Sequence, residues 1–124
     1  MGRRRAQGGL GALAGSLTPT RGGVYYAELP GIGDKPVLVV SWKAINEGLR
    51  SPIVARITSR ARERALPTYV PLEAGEAGLP EPSYVLCHDL VTLRESDFRR
   101  RAGRLLLGRM LEVDKALRQA LALE

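Results

Sequence analysis

Val37-Leu38-Val39-Val40 restricts the fold more than any other stretch: an unbroken apolar run, with Pro36 in front and the polar Ser41 behind. Valine and leucine without polar alternation suit a buried central strand. Pro36 has no N–H to give to a ladder, so it marks the beginning of that strand. A central strand needs neighbours, and the chain supplies short runs broken by Gly and Pro. Residues 24–29, 53–59, 68–72, 83–87 and 90–93 read as strands.

The segments between them read differently. Residues 30–35 form a loop made adaptable by Gly31 and Gly33, and residues 41–52 a turn or short helix. Residues 60–66 are a basic loop, and 73–82 a loop rich in Gly, Pro and acidic residues. Ser96-Asp97-Phe98 is read as the cap of a short helix carrying Arg99, Arg100 and Arg101. Residues 109–123 contain helix formers throughout, with Met110, Val113, Leu117, Ala120 and Leu121 on one stripe. The sum is a mainly β fold of about five short, mostly antiparallel strands, a small twisted sheet or barrel covered by a C-terminal helix.

Bulk properties narrow the class. At 124 residues one domain is the expectation, placed at 21–124 behind a flexible basic arm at 1–20. The net charge of +6 favours a polyanionic partner, either nucleic acid or an acidic protein tail. The single Cys87 excludes an intrachain disulfide, and one His88 without a Cys/His cluster argues against zinc. No cofactor and no metal are expected. No apolar run approaches the roughly 20 residues of a membrane span, and a cytoplasmic location is expected.

Two places carry the chemistry. The glycine-containing loop 31–34 leads to the cation Lys35, and the strand from Ile53 ends with Thr58 and Ser59 between Arg56 and Arg60. On the pleat, Val54, Arg56 and Thr58 share one face, and Ile53, Ala55 and Ile57 the other. Hydroxyls and cations on a rigid strand beside an adaptable loop suit the handling of a phosphodiester. Thr58 and Lys35 are the candidates for that handling, with an ordinary strand-end threonine and a solvated lysine as the plain alternatives, and spacing alone favours the solvated lysine. Arg56, Ser59, Arg60 and Arg62 are candidate contacts for a nucleic acid, with Gly33 in the loop and Trp42 as a surface for stacking bases.

At these residues the chain resembles the MazF/PemK (Kid) family of toxin endoribonucleases from type II toxin–antitoxin systems. The resemblance rests on Arg21-Gly22-x-Val24-Tyr25, Lys35-Pro36-x-Leu38-Val39-Val40, Ile57-Thr58-Ser59 and Leu66-Pro67-Thr68-x-Val70-x-Leu72. It continues through Gly78-Leu79-Pro80-x-Pro82-Ser83-x-Val85-Leu86-Cys87 and Glu112-Val113-Asp114-x-Ala116-Leu117. It implies an SH3-like β-barrel of CcdB/PemK type with a C-terminal helix, acting as a homodimer. It also implies metal-independent, sequence-specific cleavage of single-stranded RNA to 2′,3′-cyclic phosphate and 5′-hydroxyl ends. A cognate acidic antitoxin is the implied protein partner.

This chain departs from the family pattern in four places. Lys35 stands where the family has arginine, and lysine lacks the planar fork that grips two phosphate oxygens. Gly23 replaces an acidic residue, and His88-Asp89 replaces Asp-Gln. Leu106-Leu107-Gly108-Arg109 replaces the Ser-Pro-Glu-Glu that opens the last helix. Two alternatives stand beside the nuclease: a CcdB-like toxin that binds and poisons DNA gyrase, and a degenerate member that only binds its antitoxin.

Overall fold

A computed structural model describes residues 18–60 and 66–124. Residues 1–17 of the expected arm, and Arg62 with Arg64, lie outside the described residues. Six strands form one antiparallel sheet: β1 (Gly23–Leu29), β2 (Gly33–Val39), β3 (Ile53–Thr58), β4 (Tyr69–Leu72), β5 (Ser83–Thr92) and β6 (Phe98–Arg104). Their spatial order is β4-β5-β3-β2-β1-β6, followed in the chain by helix α1 (Leu107–Ala120). The expected mainly β fold with a C-terminal helix is the one observed.

Period-two alternation sorts the apolar residues into two cores. Val24, Leu38, Ala55, Ile57 and Val85 face α1, whose Met110, Val113 and Ala116 complete that core. Tyr25, Val37, Val39 and Val54 face the other way and meet Leu93 and Phe98 in a smaller core. The run at 37–40 is therefore apolar throughout because β2 buries both sides.

Several elements differ from the sequence reading. The adaptable loop at 30–35 shrinks to a tight turn, since Gly33, Asp34 and Lys35 pair with Leu29, Glu28 and Ala27. Pro36 lies mid-strand rather than at its start. The two strands expected at 83–87 and 90–93 are one: Ala55 pairs with Leu90 but Arg56 with Leu86, so Cys87, His88 and Asp89 form a bulge.

The short helix expected to carry Arg99, Arg100 and Arg101 is edge strand β6. Phe98 is buried in the smaller core, and Arg99 is ion-paired with Glu28 on β1. The cap-like Asp97 takes an N–H from Arg94 at 2.8 Å and closes only one tight turn. Leu121, read as part of the helical stripe, is 53% exposed because α1 ends at Ala120.

Edges β4 and β6 share no ladder. The connection after β4 covers the gap instead, laying the turn Glu76–Gly78 over β6. A Cβ on Gly78 would stand 2.0 Å from the Ala102 carbonyl oxygen, and one on Gly103 would stand 2.6 Å from the Ala77 carbonyl. Only glycine permits so close a backbone approach. Arg109 of α1 donates to Glu76 at 2.7 and 2.9 Å and fastens the helix to that turn.

Candidate functional site

The site begins where a ladder stops. Val40 N–H donates to Ile53 O toward β3, so on the period of two residue 36 also points its nitrogen at β3. That residue is Pro36, which has no proton to give, and the β2–β3 ladder ends at Val37–Arg56. The same register carried two residues further sets Lys35 opposite Thr58. The strands part there into an open cleft of about 570 Å³.

Lys35, Arg56, Thr58, Ser59 and Arg60 all line this cleft. The structure thus brings together five of the residues singled out in the sequence. Ser59 and Arg60 are exposed, while Arg56 and Thr58 are half-buried. Thr58 Oγ1 accepts the Arg60 N–H at 3.2 Å, a local bond that holds the hydroxyl at the strand end. Arg56 donates from Nη1 to Asp89 Oδ2 at 3.0 Å, and its Nε is buried without an acceptor among the described residues.

Two candidates fall elsewhere. Trp42, 70% exposed, sits over the helical turn Ala44–Leu49 and does not line the cleft. Gly33 pairs with Leu29 at φ +102° and shapes the hairpin, while its neighbour Ile32 reaches the cleft wall. Cys87 is buried in the larger core, and desolvation pushes its thiol up to about 11, which suits packing and not nucleophilic attack.

Two further cleft residues are ones the sequence did not single out. Tyr26 forms part of a wall, with the Arg100 guanidinium 4.0 Å above its ring. Glu81, the unassigned position between Pro80 and Pro82, is the one carboxylate among the described lining residues. The turn residues around Glu81 marked a loop, and only the fold shows which strand ends that loop faces.

Residues 20–121 match the family of PemK-like, MazF-like toxins of type II toxin–antitoxin systems. The chain belongs to this family. It is 30% identical over 109 residues to a Staphylococcus epidermidis protein named endoribonuclease MazF, covering 83% of this chain and 91% of that one. It is 35% identical over 98 residues to a Mycobacterium tuberculosis protein named probable endoribonuclease MazF2, covering 79% and 93%. Among solved structures, the M. tuberculosis toxin MazF-mt6 superposes with a TM-score of 0.73 at 29% identity, over 82% of this chain and 98% of that one. A mycobacterial endoribonuclease solved with its cognate antitoxin gives 0.75 at 30% identity, over 86% and 97%.

For a PemK/MazF toxin the arrangement makes chemical sense. Lys35, Arg56 and Arg60 border one cleft with the hydroxyls of Thr58 and Ser59, so a phosphate there would meet charge and hydrogen-bond donors together. Among the described residues no group of three or more His, Cys, Asp or Glu side chains could hold a metal ion. No described helix is long and apolar enough to cross a membrane.

Proposed function

We propose that this toxin is an endoribonuclease that cuts single-stranded RNA in the cleft between β2 and β3. The observation that carries the reading is the convergence of Lys35, Arg56, Thr58 and Arg60 on one cleft where the β2–β3 ladder ends. In the reaction, a ribose 2′-oxygen attacks the adjacent phosphorus as its proton leaves. The bond from phosphorus to the 5′-oxygen breaks, and that oxygen takes a proton. The products are a 2′,3′-cyclic phosphate and a 5′-hydroxyl.

The cleft supplies each need of that sequence. Lys35 and Arg56 offset the charge that develops on the phosphate oxygens, with Arg60 at the exposed rim. Thr58 donates from its hydroxyl to the phosphate and relays protons between attacking and leaving oxygens. Glu81 gives the cleft a carboxylate able to accept the 2′-proton. Specificity for short sequences comes from lining groups such as Tyr26 and the exposed Ser59 that reach bases instead of phosphates.

The net charge of +6 and the antitoxin complex of a relative support a cognate acidic antitoxin as protein partner. Leu106 and Leu107, 69% and 75% exposed at the start of α1, support a homodimer, and a cytoplasmic site of action fits an RNA substrate. Incubating the purified protein with a long RNA in EDTA tests the activity. Fragments with cyclic-phosphate 3′ ends and 5′ ends that a kinase labels directly are expected. Cleavage only with added metal, or gyrase–DNA complexes trapped without RNA fragments, would overturn it.

A further inference from the structure

Thr58 pairs across the sheet with Tyr84 of β5, and Tyr84 is the first of three rings. Its centroid lies 6.2 Å from that of Tyr69, tilted by 57°. Tyr69 in turn stacks on His88, at 5.2 Å and 20°. His88 is held in place by a hydrogen bond of 3.1 Å between its Nδ1 and Thr68 Oγ1. His88 lies two residues beyond Leu86, the ladder partner of Tyr69, within the bulge at 87–89.

None of the three rings belongs to either core. Tyr25 provides the contrast, since it is buried, packed edge-on against Phe98, and bonded through its hydroxyl to Thr20. Tyr69 and Tyr84 are half-buried and His88 is exposed. Thr58, Tyr84, Tyr69 and Arg56 share the sheet face that the smaller core leaves uncovered. Along that face the ring row abuts the cation-bordered cleft, and its acidic neighbour Asp89 is paired with Arg56.

We propose that Tyr84, Tyr69 and His88 form a stacking platform for unpaired bases of the RNA strand next to the bond being cut. The proposal rests on the endoribonuclease reading of the neighbouring cleft. Aromatic faces beside a cationic channel are what single-stranded nucleic acid requires, because stacking holds the bases while cations hold the phosphates. Tyr84 receives the base nearest Thr58. His88, clamped over Tyr69, offers its outer face to a base further along. The platform favours bases over abasic backbone and tolerates different base sequences, so it sets the strand's path and leaves fine recognition to the cleft.

The test compares two fluorescent oligomers of about twelve nucleotides, a 2′-O-methyl oligouridylate and its abasic counterpart of equal charge. Binding anisotropy is read in EDTA, with cleavage of a long RNA assayed in parallel. The wild-type protein is expected to bind the base-bearing oligomer roughly tenfold more tightly than the abasic one. Tyr84→Leu and His88→Ala each reduce that ratio severalfold while abasic binding holds, and Tyr84→Phe restores it. His88→Ala, on an exposed side chain, keeps the test sound if Tyr84→Leu does not fold.

An unchanged ratio in folded variants overturns the platform and points to a protein contact on these rings. An equal loss of both oligomers also overturns it, since that is a structural effect. If the wild type cleaves RNA but shows no base preference, the platform alone falls. If it neither cleaves RNA nor binds either oligomer, the endoribonuclease reading falls and takes the platform with it.

Discussion

Arg56 on β3 reaches Asp89 on β5 at 3.0 Å only because the bulge at Cys87, His88 and Asp89 carries the carboxylate back toward it. The pair is about one-third exposed on both sides, so it is loose enough for a phosphate to compete for the guanidinium. Asp89→Asn is expected to tighten RNA binding by about three- to tenfold at low salt. The slope of affinity against salt should steepen by about one phosphate contact. Anisotropy titrations over a salt series measure both, and weaker binding would show that Asp89 holds Arg56 in its working position.

Thr58→Val removes the hydroxyl and keeps the side chain's shape. Cleavage should fall by about a hundredfold or more, as for loss of a proton-transfer group, whereas Thr58→Ser should retain most of it. Lys35→Met should lower cleavage comparably. Lys35→Arg, which adds the bidentate fork, should match or exceed the wild type. Single-turnover rates on one defined RNA separate these outcomes, and an active Thr58→Val would remove Thr58 from the chemistry.

Glu81→Gln tests the carboxylate. Its cleavage rate at saturating RNA should drop by about tenfold or more while affinity holds or rises, because one negative charge leaves the cleft. Loss of affinity with an unchanged rate would make Glu81 a contact for bases.

Glu76 and Arg109 link stability to pH. The guanidinium's hydrogen bonds hold the Glu76 carboxyl below its usual value of 4.5. A folded value below the unfolded one stabilises above the unfolded value, and the gain is lost as pH falls through the folded value. Glu76→Gln should cost about 1 kcal/mol at neutral pH and progressively less below about pH 4. Urea unfolding of both proteins at several pH values checks the convergence.

Gly78→Ala should cost about 2–4 kcal/mol, since its Cβ would meet the Ala102 oxygen at 2.0 Å and its φ is +77°. Gly48→Ala, with nothing within 4 Å of the added carbon, should be close to neutral. Thermal unfolding midpoints distinguish them.

The residues explain what could be read in advance. The burial of β2, the face shared by Arg56 and Thr58, and the inner stripe of α1 all follow from local sequence pattern. Strand β6 did not, because three arginines after Ser96-Asp97 look helical until Phe98 finds the smaller core and Arg99 finds Glu28. The contribution of Glu81 was equally hidden, since a loop's local residues carry no record of which cleft it borders. The bulge at 87–89 depends on pairing with β3, which no single strand encodes.

The turn laid over β6 has a practical consequence for anyone labelling this toxin. A tag inserted near Gly78 would pry apart a contact with no room for even one methyl group. The hairpin at Gly31 has open space around it, yet a probe there would sit beside Ile32 at the mouth of the cleft and obstruct what it was meant to watch. The turn at Gly48 is free of both constraints, and Trp42 beside it already provides an intrinsic fluorophore away from the cleft.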